Sequence, residues 1–486
     1  MPPAPPPPFL PTSALSLELD GFVAVTAAMH AGFADARVTF ECSFPPLVGD
    51  GGDRGFLVLA GIEPLLDALE RFKLKNDELG WLESLGAIDG AAKKRLADMR
   101  FSCDVDAALE GSVVFPGEAV LTVEGPFWQA QLMSSLVRGA ISSGTTVATK
   151  AARCVLAAEG CEIIEASAAI AHRLGGNPLV ARAAFVGGAH ATTSALAARR
   201  YRMPVRASMP LRFALGAGSP KVAFESWLGA SQGKAILRLD HRDAAASIAA
   251  VVAAVKQRTS QSSWHELDVA LEIAGGDHLE LARATVDAFK KAGLDEPVIV
   301  ASDDFDELAI SELRRQNAPI SAFSISSFDA ADESMSAQYD MAAIEADGQW
   351  SPRLRVGRTA ATSSDPGRKF VVRYFDAENH PIADVSCATN ERIPSAKDVR
   401  FVDRTTGFPT RLAAASSVQL LTNVMRAGKR VSLPEAAKDI RDRAQKNVLA
   451  LCDRHRRLRK PTLYPVGMTA ALATIKTDLL TLARNA

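Results

Sequence analysis

Between residues 161 and 345 short apolar runs alternate with helical stretches, and this alternation limits the fold more than any other feature of the 486-residue chain. Runs at 161–166, 205–209, 235–239, 269–273, 298–301 and 322–325 are predicted as strands. Helices are predicted at 179–201, 244–256, 279–292 and 305–316. Continuous apolar runs of this length suit strands covered on both faces, and their alternation with helices implies parallel pairing through crossover connections. Six such units predict an α/β protein with a closed or partly open barrel, whose chemistry sits at the C-terminal ends of the strands.

The flanking segments read differently. Residues 1–13 form a proline-rich arm, and 14–150, together with about 351–400, read as an α+β domain. There, 38–43 alternates like a strand, 56–72 has helical periodicity, and 112–123 reads as two strands around Pro116-Gly117. Residues 129–160 read as helical and alanine-rich, strands are predicted at 369–375 and 381–387, and 401–486 reads as a helical extension after a barrel domain at 151–350. The basic run 454–460 is either a solvated helix face or a patch for phosphate or a partner.

Charge and cysteine usage exclude several classes. With 55 Lys+Arg against 56 Asp+Glu, no general basic field exists for nucleic acid or an anionic membrane. No apolar run approaches the ~20 residues of a membrane span, and the opening MPPAPPPPFLP lacks the pattern of a secretory signal, so a cytoplasmic protein is expected. Six scattered cysteines without a CxxC pair give no sequence signature of zinc or of a disulfide framework.

The strand ends carry the candidate chemistry. Glu165 ends the first predicted strand; Ser208, followed by Arg212, ends the second. The remaining ends read Asp240-His241-Arg242-Asp243, Gly275-Gly276-Asp277, Ser302-Asp303-Asp304 and Ser324-Ile325-Ser326-Ser327. Gly275-Gly276-Asp277 is either an anion-binding turn at a helix N-terminus or a tight turn with Asp277 as N-cap. Asp240, Asp243, Asp303 and Asp304 either converge on Mg²⁺ or sugar hydroxyls or cap helices. Ser324, Ser326 and Ser327 either donate to a phosphate or serve the turn. His172, His190 and His241 lie near the same openings.

From Asp20 to Phe375 the chain resembles the nicotinate phosphoribosyltransferases. The resemblance rests on the ordered landmarks FLVLAGIE (56–63), EAVLTVEGPFWQAQ (118–131), ATKAAR (148–153), RAAFVGG (182–188), IVASDD (299–304) and PGRK (366–369). It implies a funnel-like α/β barrel of the type II phosphoribosyltransferases, plus an α+β domain built from both chain ends. It also implies condensation of nicotinate with phosphoribosyl pyrophosphate in NAD metabolism, with Mg²⁺ for the diphosphate and ATP coupled through a phosphorylated histidine. A site completed across a subunit interface implies a homo-oligomer.

Several positions depart from the family pattern. Leu211 falls where the family histidine of G-T-x-A-H-S stands, with Ala207-Ser208 for Gly-Thr, and leucine cannot carry a phosphoryl group. The family's R-L-D-S-G-D is matched by Glu272 to Asp277, so a cation becomes Glu272 and a carboxylate becomes Ala274. The aromatic and arginine of F-G-x-R become Ala166 and Ala169, G-V-G-T becomes Ser324 to Ser327, and Pro45-Pro46 replace the arginine of F-R-K. Phe22 matches the tyrosine that packs on the substrate ring from a neighbouring subunit. Loss of several electrostatic contributions of a few kcal/mol each amounts to about 10⁵-fold in rate.

The resulting expectation is phosphoribosyl transfer to nicotinate or a related base. Asp277 and Asp240 would be catalytic. Phe22, Glu165, Ser208, Arg212, Gly276, Asp303, Ser324, Ser326 and Ser327 would contact substrate, Mg²⁺ would accompany it, and ATP coupling would be lost. The alternative is a catalytically inactive or repurposed paralogue that acts as a regulatory subunit, paired with an active paralogue.

Overall fold

Residues 13–45, 55–167, 178–231, 235–259, 269–328 and 335–485 are described by a computed structural model. The chain divides into two units, Lys150–Ala330 and Met1–Thr149 with Ala331–Ala486.

In the first unit the apolar runs pair into a six-stranded parallel sheet. Its order is Ala191–Thr192, Glu162–Glu165, Ala322–Ile325, Val298–Asp303, Val269–Ala274 and Ala235–Leu239. Helices Ala244–Thr259, His278–Lys291 and Glu307–Arg315 supply the crossovers. Asp277 and Asp306 cap the last two of these, accepting from the amides of Glu280 at 2.9 Å and Ala309 at 2.7 Å.

The predicted strand at 205–209 is corrected: it makes isolated bridges only. Val205 bridges Thr192 at one edge of the sheet, and Ser208 bridges Ile236 at the other. Arg206 N donates to Thr192 O at 3.0 Å and Met209 N to Ile236 O at 2.9 Å. Pro204 and Pro210 flank the segment and remove the amides a longer ladder needs, yet what remains links the two edges of the curled sheet. The predicted helix 179–201 also divides. It ends at Val186 before Gly187-Gly188, where Gly188 has φ +114°, and a new helix, Ala195–Tyr201, starts after Ser194 as N-cap.

The second unit is built on two larger sheets. A seven-stranded antiparallel sheet runs Gln349–Pro352, Gln338–Ala346, Arg37–Ser43, Ala119–Pro126, Asp104–Ala108, Leu421–Arg426 and Lys429–Arg430. Val38, Phe40 and Cys42 point from one face of the interior strand Arg37–Ser43 into the main core with Val105, Leu121 and Val123. A six-stranded sheet combines Lys369–Phe375 and Pro381–Ala388 with Val399–Asp403, Pro409–Leu412, Ser416–Gln419 and Val466–Met468. The helical reading of 401–486 is therefore corrected. Its first thirty or so residues are short strands that complete both sheets, and helices follow at Ala437–Leu449, Asp453–Arg456 and Ala470–Asn485. The helical periodicity at 56–72 likewise covers a two-residue strand, Leu57–Val58, before the helix Ile62–Arg71.

Candidate active site

Side-chain alternation sorts the parallel sheet into two faces. Leu237, Leu271, Ile273, Ile299, Ala301, Phe323 and Ile325 are buried on the face that carries the crossover helices. Ile164, Ile236, Val300 and Ala322 form a separate small cluster, with Ala270 against it, on the opposite, lumen face. Two residues further along the strands, the same face presents Arg238, Glu272, Ser302 and Ser324, and two further again it presents Asp240, Ala274, Asp304 and Ser326. An apolar floor thus lies under two polar layers at the C-terminal strand ends, where parallel α/β sheets place their ligands.

In the deeper layer Arg238 and Glu272 are register partners, with Nη1 3.8 Å from Oε1. Glu272 is 3% exposed, and its Oε2 has no hydrogen-bond partner among the described residues. Burial raises its pKa, opposed by the Arg238 charge and by a hydrogen bond from Ser302. The Arg238 side chain is 32% exposed on the lumen face, so its guanidinium is a cation the lumen can use.

In the outer layer Asp240 is taken up locally. Its carboxylate accepts from Arg242 Nε at 2.9 Å, Nη2 at 2.7 Å and backbone N at 3.1 Å, and these bonds hold its pKa down at about 2. Ser326 Oγ donates to one oxygen of Asp304. Lys150 Nζ donates to the Ser327 carbonyl oxygen at 2.6 Å and approaches its hydroxyl at 3.2 Å. Sequence reading treated Lys150 only as part of the ATKAAR landmark; its position in that motif was the available signal. Gly275 and Gly276 adopt φ +81° and +74°, with the His241 ring against them, 3.2 Å from where a Cβ on Gly275 would stand.

Other predicted site residues lie elsewhere. Glu165 is 1% exposed on the helix-covered face. It accepts from Thr192 Oγ1 at 2.5 Å and from Ser167 through both N (2.8 Å) and Oγ, so it braces the turn and does not open to the lumen. Asp303 projects to the same face, 3.8 Å from His278 Nε2, because alternation sends it opposite to Ser302 and Asp304. Asp277 is exposed as the N-cap. Phe22 is 1% exposed in the core of its own unit, since the buried stripe of helix Leu19–His30 faces inward; its ring offers no free stacking face. Ser208 Oγ is buried without a partner among the described residues, and Arg212 is exposed at the start of helix Leu211–Gly216. Ser324 is buried on the lumen face. Ala169 and His172 lie outside the described residues.

The other unit holds a 460 Å³ cavity against the seven-stranded sheet. Its cations are paired: Arg37 and Arg368 with Glu124 at 2.5 and 2.9 Å, Arg426 with Asp106 at 3.1 Å, and Lys369 with Glu41 at 2.6 Å. Among the described residues, the side chains grouped closely enough to hold a metal ion are Asp376, His380 and Cys452, also of this unit.

Comparison with known proteins settles the family. Residues 22–142 match the nicotinate phosphoribosyltransferase (NAPRTase) N-terminal domain and 368–476 the nicotinate phosphoribosyltransferase C-terminal domain. The chain belongs to the nicotinate phosphoribosyltransferase family. A nicotinate phosphoribosyltransferase of Mycobacterium tuberculosis is 32% identical over 273 residues, covering 56% of this chain and 58% of that protein. The chain thus spans under two thirds of that relative's length. One from Bacillus subtilis is 24% identical over 444 residues, covering 90% of this chain and 89% of its own. The crystal structure of human nicotinic acid phosphoribosyltransferase superposes with a TM-score of 0.75 at 22% identity, covering 95% of this chain and 99% of that one, a likeness of fold. Both matched segments lie in the unit built from the two chain ends. No helix among the described residues is long and apolar enough to cross a membrane.

Proposed function

We propose that this chain transfers a phosphoribosyl group from phosphoribosyl pyrophosphate to nicotinate or a related base, in NAD salvage. The observation that carries the reading is the pair of polar layers on the lumen face of a parallel sheet in a chain of this family. In the transfer the bond from ribose C1 to the diphosphate oxygen breaks and the base nitrogen takes that carbon. Negative charge grows on the diphosphate, so pre-positioned cations and N–H donors supply the stabilisation. Lys150, anchored on Ser327, is the outer cation, and Arg238 is the deeper one.

Asp304 faces the lumen with one oxygen not engaged among the described residues, so it would hold a Mg²⁺ that neutralises the leaving charge. No third ligating side chain gathers there among the described residues, which suits an ion bound largely through substrate phosphates. Leu211 stands at the position of the family histidine in an ungapped match, so turnover here is independent of ATP. A homo-oligomer is part of this reading.

A second reading, a non-catalytic partner-binding subunit, draws on the local engagement of Asp240 by Arg242, of Asp277 as a cap and of Glu165 in its turn. Purified protein given nicotinate, phosphoribosyl pyrophosphate and Mg²⁺ should release pyrophosphate at a rate indifferent to ATP. No release and no thermal shift with any of these compounds would overturn the enzymatic reading and leave the second.

A further inference from the structure

The six cysteines differ in surroundings. Cys42, Cys103, Cys154 and Cys387 are buried, and burial pushes their thiol pKa values up, to about 12 for Cys103 and Cys387. Cys161 is half-buried, and its thiol donates to the Ile320 carbonyl oxygen at 3.2 Å. Cys452 is half-buried at the corner between helices Ala437–Leu449 and Asp453–Arg456, and its thiol has no hydrogen-bond partner among the described residues.

Facing it is the turn that joins strands Lys369–Phe375 and Pro381–Ala388. Asp376 N donates to His380 O at 3.0 Å, and Asp376 Oδ1 accepts from His380 N at 2.7 Å. Asn379 between them adopts φ +66°. Both ends of the turn are thereby fixed, and Asp376 Oδ2 lies 3.2 Å from His380 Nδ1. One ligating atom from each of Asp376, His380 and Cys452 lies within 4.8 Å of the other two, and all three side chains are half-buried. The residues come from segments far apart in sequence, so no spacing motif announces them.

We propose that Asp376, His380 and Cys452 bind one zinc-like divalent ion, with water as the fourth ligand. The donor set is thiolate, imidazole and carboxylate, which suits Zn²⁺; Mg²⁺ and Ca²⁺ require oxygen ligands throughout. Tetrahedral zinc with bonds of about 2.0–2.3 Å places its ligands about 3.3–3.8 Å apart, so the trio closes by about 1 Å through side-chain rotation. Coordination releases the thiol proton to solvent. The thiolate and the Asp376 carboxylate then balance the charge of the ion, which permits a half-buried site. The bound ion clips the sheet turn to the helix corner and stabilises the C-terminal part of this unit. The inference does not depend on the phosphoribosyl reading.

The test uses full-length, tag-free, metal-stripped protein titrated with Co²⁺ and then Zn²⁺. Expected results are a thiolate-to-cobalt charge-transfer band that saturates near one equivalent, its loss on displacement by Zn²⁺, and a rise in Tm with Zn²⁺. Cys452→Ser and His380→Ala should each abolish the band and weaken zinc binding by about 100-fold. His380 lies in a surface turn, so its variant remains informative if Cys452→Ser folds poorly. No charge-transfer band with equimolar Co²⁺, or zinc binding that both variants leave unchanged, overturns the proposal.

Discussion

Arg238 and Glu272 face each other across neighbouring parallel strands on the lumen side, 3.8 Å apart, with one Glu272 oxygen left without a partner among the described residues. A buried carboxylate held by one distant cation and one serine hydroxyl is a poor stabilising device. Its folded pKa is raised, so between the ordinary carboxylate range and that raised value the folded state holds the extra proton, and stability falls as pH rises. Glu272→Gln should remove that slope, leaving stability near pH 4 unchanged and giving an equal or higher Tm at pH 7.5. If Glu272 serves the lumen ligand, the same variant loses turnover while gaining stability. A variant less stable than wild type at pH 7.5 contradicts this account.

Lys150 is the mouth cation whose charge is not met by a carboxylate in the contacts above; it rests on the carbonyl and hydroxyl of Ser327. Charge-assisted hydrogen bonds to a phosphate are worth about 1.5–3 kcal/mol. Lys150→Met should therefore weaken binding of phosphoribosyl pyrophosphate by about 10- to 100-fold, measured by calorimetry, with an unchanged far-UV spectrum. Equal affinity removes Lys150 from the site.

The barrel strands were legible because each is a short, continuous apolar run between helices, and Ala235–Leu239 and Ala322–Ile325 fall where the pattern puts them. The 205–209 run failed because its flanking prolines cut the ladder to isolated bridges, a cost that hydrophobicity does not register. The short strands between 399 and 430 failed because each is only two to six residues long and three of them are completed by partners distant in sequence. At the site, the strand-end residues were legible but their facing was not. A one-residue step sends Asp303 to the helices and Asp304 to the lumen, and a loop reading cannot fix that phase. Phe22 was misplaced because a matched aromatic on a helix says nothing of which face is buried.

Gly275 and Gly276 occupy the left-handed region, and a Cβ would stand 3.2 Å from the His241 ring at the first and 3.2 Å from Leu281 Cδ1 at the second. The conformation costs an L-residue about 1–2 kcal/mol before any contact is counted. Gly276→Ala should lower stability by about 1–3 kcal/mol in urea unfolding, and Gly275→Ala should do the same while displacing His241. A fully tolerated double substitution is incompatible with this turn.

Ser208 ends the segment that joins the two sheet edges, and its buried hydroxyl has no partner among the described residues. An unsatisfied buried hydroxyl carries a desolvation cost of about 1–3 kcal/mol, so Ser208→Ala should leave thermal stability equal or raise it. Stability that falls by more than about 1 kcal/mol would mean that the hydroxyl is satisfied within the fold.

Asp384 lies at the centre of the C-terminal family domain and is fully buried. It accepts from Arg373 Nε at 2.9 Å and Nη2 at 2.6 Å and from Tyr464 OH at 3.2 Å, while Arg373 Nη1 reaches the Val113 carbonyl oxygen at 2.8 Å. Glu118, whose pKa burial and Asp384 push well up, lies 3.6 Å from the same guanidinium. The cluster therefore ties residues from both ends of the chain within one unit. Removing Asp384 leaves a buried Arg373 without its bidentate acceptor, a loss of about 3–5 kcal/mol. It also lowers the Glu118 pKa, because one repelling charge is gone while the cation remains. Asp384→Ala should unfold at much lower urea than wild type, and Arg373→Met with Asp384→Leu should recover most of the loss, since an apolar pair leaves no buried charge. If the double variant is no more stable than Asp384→Ala, the cost lies in packing and not in the orphaned charge.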